Sequence, residues 1–212
     1  MNNIIIGDCV EELQSFKPNS FELVLTDIPY NISKKSNGLR KLDYGEWDKQ
    51  YGKEKEWIDN IIRVVKGTAI VFCGKKQFSY IIKQFEEAGL STRTMVWHKP
   101  NPTVLNCDKL YIEATELFVY AKKRKAFYKP KYKHNIFEYP IVHYTKRVHP
   151  NQKPLKLFKE LIIDCSKEND IILDPFAGSG TTGLAAELTN RKFIGIELNP
   201  EYAEIAKKRT NI

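Results

Sequence analysis

The chain has 212 residues, 42% of them hydrophobic and 28% charged, a composition that can bury a core and lies far from that of a disordered segment. With 34 Lys and Arg against 26 Asp and Glu, the net charge is +8 (34 − 26), which suits a polyanionic partner. The longest stretch without a charged residue runs only from Pro175 to Ala186, so no membrane span is expected, and MNNIIIGDCVEEL lacks the basic start and cleavage site of a secretory signal, which points to the cytoplasm.

Periodicity predicts alternating strands and helices. Ile4 to Ile6 is a short apolar run ended by Gly7-Asp8, a brief helix follows over Val10 to Phe16, and Phe21 to Thr26 reads as a strand. Trp57, Ile58, Ile61, Ile62 and Val65 fall on one helical face, and Gly67 separates that helix from the strand-like run Thr68 to Cys73. A further helix places Phe78, Ile81, Ile82 and Phe85 on one side and stops at Gly89. Strand candidates recur at Thr92 to Trp97 and Glu116 to Ala121. Pro154 suits a first helical turn ahead of the face formed by Phe158, Leu161, Ile162 and Cys165. Then come a strand at Ile171 to Asp174, a Gly-rich turn, a helix through Leu188, a strand at Phe193 to Glu197 and a terminal helix from about Pro200.

Such alternation implies an α/β fold, a doubly wound and mostly parallel sheet covered on both faces, here as one domain over 1–212. Two segments break the pattern, 31–54 and 122–148, and loops of that length in a compact domain are usually functional. Within the second, Lys122, Lys123, Arg124, Lys125, Lys129, Lys131 and Lys133 are interleaved with Phe127, Tyr128 and Tyr132 and no acid. Those are the parts needed to neutralise phosphates and stack on bases, so this segment is the expected nucleic-acid surface. The cysteines at 9, 73, 107 and 165 have no CxxC spacing, and no metal site is expected.

The run Asp174-Pro-Phe-Ala-Gly178-Ser-Gly180-Thr-Thr-Gly183 follows a predicted strand, opens a helix and satisfies G-x-G-x-x-G. Its glycines let a cofactor approach backbone amides, and Glu197, ending the next strand, can accept from a ribose diol. The motif fits a dinucleotide or S-adenosylmethionine equally. Only 15 residues follow Glu197, so the other strands must come from upstream, which makes the chain a circular permutation of the doubly wound fold. Asp8, Asp27, Asp174 and Glu197 then end strands on one rim, where open α/β sheets bind ligands.

Asp27-Ile28-Pro29-Tyr30 directly follows a predicted strand. An exocyclic amine on a nucleobase is a poor nucleophile because its lone pair is delocalised into the ring. A catalyst must orient both N–H bonds and favour positive charge developing on nitrogen, which a carboxylate and a turn carbonyl can do. Pro29 restricts Ile28 to an extended conformation, and Tyr30 offers a face on which a flipped base can stack.

These residues resemble the permuted, amino-methylating DNA methyltransferases of the beta class, over nearly the whole chain. The anchors are IIIGDCVEEL and TDIPY near the start, HPNQKP at 149–154, and ILDPFAGSGTTGLAA with FIGIELNPEY near the end. The resemblance implies a Rossmann-like methyltransferase fold, S-adenosylmethionine as cofactor, and methyl transfer to a flipped base of double-stranded DNA. By position, Asp27 and the Ile28 carbonyl would accept from the target amine and Tyr30 would stack on the base. Phe176, Gly178, Ser179 and Gly180 would line the cofactor, with Asp174, Thr181 and Asn199 in the same set, and Glu197 would hold the ribose. Asp8 resembles the residue near the cofactor adenine, and His149 to Pro154 the segment near its methionine end, where Lys153 would pair with the carboxylate.

Asp at position 27 looks like the adenine-N6 version of the tetrapeptide, with cytosine-N4 methylation the alternative. The family usually has Pro where this chain has Ile28, but the carbonyl is retained and activity is expected to survive. The recognition segment is short, which makes homodimerisation, or a contribution from 31–54, an expectation. A cognate restriction endonuclease is one partner such an enzyme can have, a solitary or viral enzyme being the alternative. No Pro-Cys pair is present, which argues against carbon-5 methylation. A competitor from another class is a DNA-binding protein weakened in catalysis that retains cofactor binding.

Overall fold

Apolar residues at period two build the strands, helix-period faces build the layers over them, and a computed structural model shows how they join; it describes residues 2–30, 54–104, 108–143, 145 and 152–210. The chain runs β1 (Asn2–Ile6), α1 (Cys9–Ser15), β2 (Phe21–Asp27), α2 (Glu54–Val64), β3 (Val65–Phe72), α3 (Lys75–Glu87) and β4 (Ser91–His98). It continues through β5 (Thr115–Lys122), β6 (Ile136–Glu138), α4 (Leu155–Cys165), β7 (Ile171–Asp174), α5 (Thr181–Glu187), β8 (Lys192–Glu197) and α6 (Pro200–Arg209).

These strands form one sheet in the order β1-β8-β7-β2-β3-β5-β4-β6. Every neighbouring pair is parallel except those that β5 makes with β3 and β4. From β7 the sheet extends outward through β8 to β1, and from β2 it extends the other way through β3. The reversal therefore lies between β7 and β2, the position at which doubly wound sheets open a ligand crevice. Permutation closes the sheet: β1, from the start of the chain, pairs with β8 from its end, Ile4 opposite Gly195 and Ile6 opposite Glu197.

Alternation sends Val24, Ala69 and Val71 to one face, where Leu13, Trp57, Ile58, Ile61, Ile81 and Phe85 of α1 to α3 cover them. Leu23, Leu25, Ile70 and Phe72 point to the other, under Phe158, Leu161, Ile162, Ala185, Ala203 and Ala206 of α4 to α6. Each large aliphatic or aromatic side chain buried in these layers contributes about 1.5–3 kcal/mol, which holds the rim of the sheet rigid.

Local differences from the sequence expectations have local causes. Gly67 lies inside β3 rather than ahead of it, because α2 ends at Val64 and the strand begins at Val65. Opposite it the β2 register shifts between Phe21 and Leu23, and a Cβ on Gly67 would stand 2.2 Å from the Glu22 carbonyl oxygen, so only glycine fits. Pro154 is the N-cap of α4 instead of a residue of its first turn. β6 has no counterpart among the expected strands, since three residues with only Phe137 buried carry no alternation to read. Of the segment 31–54 only Glu54, which opens α2, lies within the described residues, and Cys107 lies outside them. Cys9, Cys73 and Cys165 are buried thiols outside any disulfide. Among the described residues no group of His, Cys, Asp and Glu is arranged to hold a metal, and no helix is long and apolar enough to cross a membrane.

Candidate active site

A cleft opens at the carboxyl ends of β7, β2 and β8, lined among others by Asp27, Ile28, Pro29, Tyr30, Lys153, Phe176, Gly178, Ser179, Thr181, Glu197 and Tyr202. The sheet reversal thus brings together the glycine turn, the Asp-Ile-Pro-Tyr turn and the end of the 149–154 segment. His149 to Asn151 lie outside the described residues.

On the β7 side, Asp174 fixes the turn. Its Oδ1 accepts from the Thr26 hydroxyl at 2.6 Å and the Phe176 amide at 3.1 Å, and its Oδ2 from the Thr182 hydroxyl at 2.5 Å. The carboxyl lines the cleft wall but spends both oxygens on the protein, and burial pushes its pKa up to about 7 against those hydrogen bonds. Gly178 (φ 52°) borders the cleft, and a Cβ there would meet nothing closer than 4.0 Å, which leaves space for a ligand against the main chain. Gly180 has another duty: at φ 79° its missing Cβ would stand 2.9 Å from Ala206, so it lets α6 press on the turn and does not line the cleft.

Glu197, at the end of β8, accepts from the Gly178 amide at 2.7 Å through Oε2 and from the Asn199 amide at 2.8 Å through Oε1. A carboxylate has about four acceptor sites, so capacity is left for a ribose hydroxyl. Burial raises its pKa against these backbone donors. Asn199 itself caps α6, its side chain accepting from the Glu201 and Tyr202 amides, and it does not line the cleft. Asp8 likewise caps α1 by accepting from the Val10 amide at 2.8 Å, while its neighbours Gly7 and Cys9 form the wall. Ser179 borders the cleft and holds Arg209 through its carbonyl and hydroxyl oxygens. Phe176 packs edge-on against Trp57 at 5.8 Å, which gives the cleft an aromatic wall on this side.

On the β2 side the Ile28 amide donates to the Phe72 carbonyl at 3.1 Å and its side chain is buried. A proline could not make that bond, so here a hydrogen bond and a packed side chain fix the main chain that a ring would otherwise stiffen. Gln77 donates to the Pro29 carbonyl at 3.0 Å and so ties the turn to α3.

Asp27 stands at the tip of β2 with its side chain 23% exposed. Lys153, itself 6% exposed, donates to Asp27 Oδ2 at 2.8 Å, to Glu116 Oε1 at 2.8 Å and to the Tyr30 oxygen at 3.0 Å. Three protons meet three acceptors, so here the ammonium is committed beside Asp27, within the cleft in which the sequence places it against a cofactor carboxylate. Glu116 escapes sequence reasoning because it is 86 positions from Tyr30, and only the antiparallel register of β5 brings it to this rim. Its Oε2 is 2.9 Å from Lys99. Burial opposes ionisation of Glu116, but the Lys153 and Lys99 ammoniums outweigh it and hold its carboxyl down at about 2. Burial carries Asp27 the other way, upward, with Lys153 resisting and the Glu116 charge assisting. Burial, then the two carboxylates, keep the Tyr30 phenol protonated.

The basic segment lies elsewhere. Lys122 pairs with Thr68 and Ser91, near the starts of β3 and β4, about 13 Å along the strands from the level of Asp27. Lys123 is spent on Asn19 and the Val65 carbonyl, and Lys133 on Glu160 and Asp164 of α4. Arg124, Lys125, Lys129 and Lys131 are exposed, at the edge of the sheet away from the cleft.

Comparisons with known proteins agree with this geometry. A family model described as DNA methylase, of the N6/N4 methyltransferase type, matches residues 21–208. The chain belongs to this family. It is 30% identical to the Type II methyltransferase M2.MboI of Moraxella bovis over 98% of this chain and 86% of that one. It is also 30% identical to the DNA adenine methyltransferase YhdJ of Escherichia coli (strain K12), over 99% and 82%. The solved structure of the M1.HpyAVI–SAM complex matches with a TM-score of 0.79 and 33% identity over the full length of both chains. The protein is therefore an S-adenosylmethionine-dependent DNA methyltransferase, and the open Gly178 wall, the aromatic Phe176 and the spare lone pairs of Glu197 fit that cofactor.

Proposed function

We propose that this methyltransferase acts on the N6 amine of adenine in double-stranded DNA, after the base has been flipped out of the helix. The observation that carries the reading is Asp27: a carboxylate at the tip of β2, open to the cleft and directly ahead of the Ile28 main chain. The adenine methyltransferase among the relatives supports it.

The cofactor supplies an electrophilic methyl group. Glu197 accepts from its ribose, and the Gly178 main chain gives it room. Asp27 and the Ile28 carbonyl each accept one N–H of the target amine, which turns the nitrogen lone pair out of conjugation and stabilises charge as it develops. The Tyr30 ring borders the cleft and gives the flipped base a stacking face, while its anchored hydroxyl keeps the ring from rotating away. Lys153 neutralises two buried carboxylates without leaving Asp27 protonated by default.

The same reading has a single catalytic domain over 1–212 in the cytoplasm, with 31–54 and 122–148 as its inserted segments. It also includes a homodimer in solution, tested by sedimentation at micromolar concentration, and a cognate restriction endonuclease, as befits relatives named Type II methyltransferases. The decisive experiment is transfer of labelled methyl groups to unmethylated genomic DNA, followed by hydrolysis to nucleosides. Label in N6-methyladenine is the expected result; label in N4-methylcytosine would overturn the base assignment alone, and no label would overturn the reading.

A further inference from the structure

The inference rests on the methyl-transfer reading above and concerns the proton that reaction must discard. Glu116 is the member of the site that no local motif announces. The Tyr30 hydroxyl oxygen lies 2.6 Å from Glu116 Oε1 and 2.8 Å from Asp27 Oδ1. A phenol has one proton, and two hydrogen bonds to ionised carboxylates need two. Lys153 does not make up the difference, because its three protons are directed at Asp27 Oδ2, Glu116 Oε1 and the Tyr30 oxygen itself. The cluster therefore has a place for one more proton, on the line between Asp27 Oδ1 and the Tyr30 oxygen.

The surrounding charges decide which carboxyl takes it. Among the described residues Glu116 faces two ammoniums, Lys153 and Lys99, and Asp27 faces only Lys153. Cys73 and Asp174, the other titratable groups near Asp27, bring no further cation. The shorter of the two phenol distances is the one to Glu116, which is where the phenol proton belongs.

We propose that Glu116 is a positioning residue for the methyl transfer: by accepting the Tyr30 proton it turns a phenol lone pair toward Asp27 Oδ1, so that this oxygen can receive the proton released by the target amine. The nitrogen uses its lone pair to bond the methyl carbon as the carbon–sulfur bond breaks with its pair staying on the cofactor sulfur, which leaves as a neutral thioether, and the nitrogen becomes cationic. Its N–H bond then breaks with the electron pair staying on nitrogen, and the proton goes to Asp27 Oδ1. The neutral Asp27 carboxyl donates to the Tyr30 oxygen, Tyr30 keeps its own proton and donates it to Glu116, and Asp27 returns its proton to water when product leaves.

The test has one readout without any reaction. Protein labelled with carboxyl-13C aspartate is titrated by NMR in the absence of DNA and cofactor, the Asp27 resonance being the one that disappears in Asp27→Asn. In Glu116→Gln, Asp27 should titrate at lower pH because a neighbouring negative charge is gone, and the acid limb of the single-turnover rate should move down with it. The plateau rate should fall about tenfold with KM for DNA unchanged. Tyr30→Phe supplies the opposite sign to the ordinary expectation: a phenol that donated to Asp27 would, on removal, let its pKa rise, whereas a phenol that presents a lone pair must let it fall. A rise in Tyr30→Phe, or an unmoved titration and pH profile in Glu116→Gln, overturns the proposal. If Glu116→Gln lacks a cooperative melt, the sign in Tyr30→Phe decides alone. Absence of methyl transfer by the wild-type protein would defeat the functional reading, and the free-protein titration would still give its own answer on Glu116.

Discussion

The two edges of the sheet carry charge in opposite ways. At the cleft edge carboxylates stand at strand ends or beside them, and Lys153 and Lys99 among them are consumed in pairs. At the far edge Arg124, Lys125, Lys129 and Lys131 are exposed to water. The edge that meets the reacting amine is built from acids whose ionisation is set by burial and by two lysines. If that contrast is right, single substitutions at the cleft edge outweigh several at the far edge.

The largest effect belongs to Asp27→Ala. Removing the acceptor at the developing charge should slow methyl transfer about 100- to 1000-fold while cofactor affinity, measured by calorimetry, stays within about threefold. A loss of cofactor binding to match would mean that Asp27 belongs to the β7 side of the cleft rather than to the base. Lys153→Met comes next. With its ammonium gone, burial and the Glu116 charge lose their largest opponent, so the raised pKa of Asp27 rises further. Asp27 must be ionised to accept an N–H, so the acid limb of the rate moves to higher pH and the rate near neutrality falls about tenfold. Cofactor affinity should again hold within about threefold; a tenfold loss would show Lys153 reaching the cofactor carboxylate after all.

How much of this was legible in the sequence follows from what each signal depends on. Strands β1 to β5, β7 and β8 announce themselves because alternation is local, and the glycine turn and Asp27-Ile28-Pro29-Tyr30 do so because each is a short backbone feature attached to a strand end. Circular permutation shows in the parallel pairing of β1 with β8. Side-chain partners across the sheet are not legible in the sequence. Glu116 opens an ordinary strand, and it reaches Tyr30 only because β5 runs antiparallel between β3 and β4, an order that periodicity does not encode. The same reversal carries Lys122 to the far edge, so a composition that reads as a nucleic-acid surface comes with no address. Asp8 and Asn199 sit at strand ends as expected, yet the helix starts that follow claim their side chains as caps.

Asp174 sharpens the contrast within the cleft edge itself. It ends β7 as Asp27 ends β2, but its partners are the hydroxyls of Thr26 and Thr182 and one amide, with no cation. Its pKa of about 7 in the folded protein exceeds that of an unfolded carboxyl, so folding favours its neutral form. The stability it adds is present below about pH 4 and is lost as the pH rises to about 7. Asp174→Asn keeps the shape, removes the titration and leaves one hydroxyl poorly paired. Its destabilisation should be about 1–2 kcal/mol near pH 4 and should shrink by about pH 8, where the wild type has already borne the cost of a buried charge. Thermal melts at the two pH values measure this, and a gap that widens with pH would show that Asp174 is ionised and stabilising.

The smallest effect is expected from the most charge. Neutralising Arg124, Lys125, Lys129 and Lys131 together removes four positive charges from the far edge, more than any other change considered. Every phosphate that a lysine or arginine ceases to neutralise lowers the slope of log affinity against log salt by about 0.9, so four such phosphates would flatten it by about 3 to 4. A duplex held over the cleft edge places its target base against Tyr30 and leaves these side chains outside the interface. The slope should therefore change by less than about 1, and the single-turnover rate by less than about twofold. A flattening by about 3 or more would mean that the DNA bends around the sheet to touch both edges, and would return the basic segment to the recognition surface that its composition suggests.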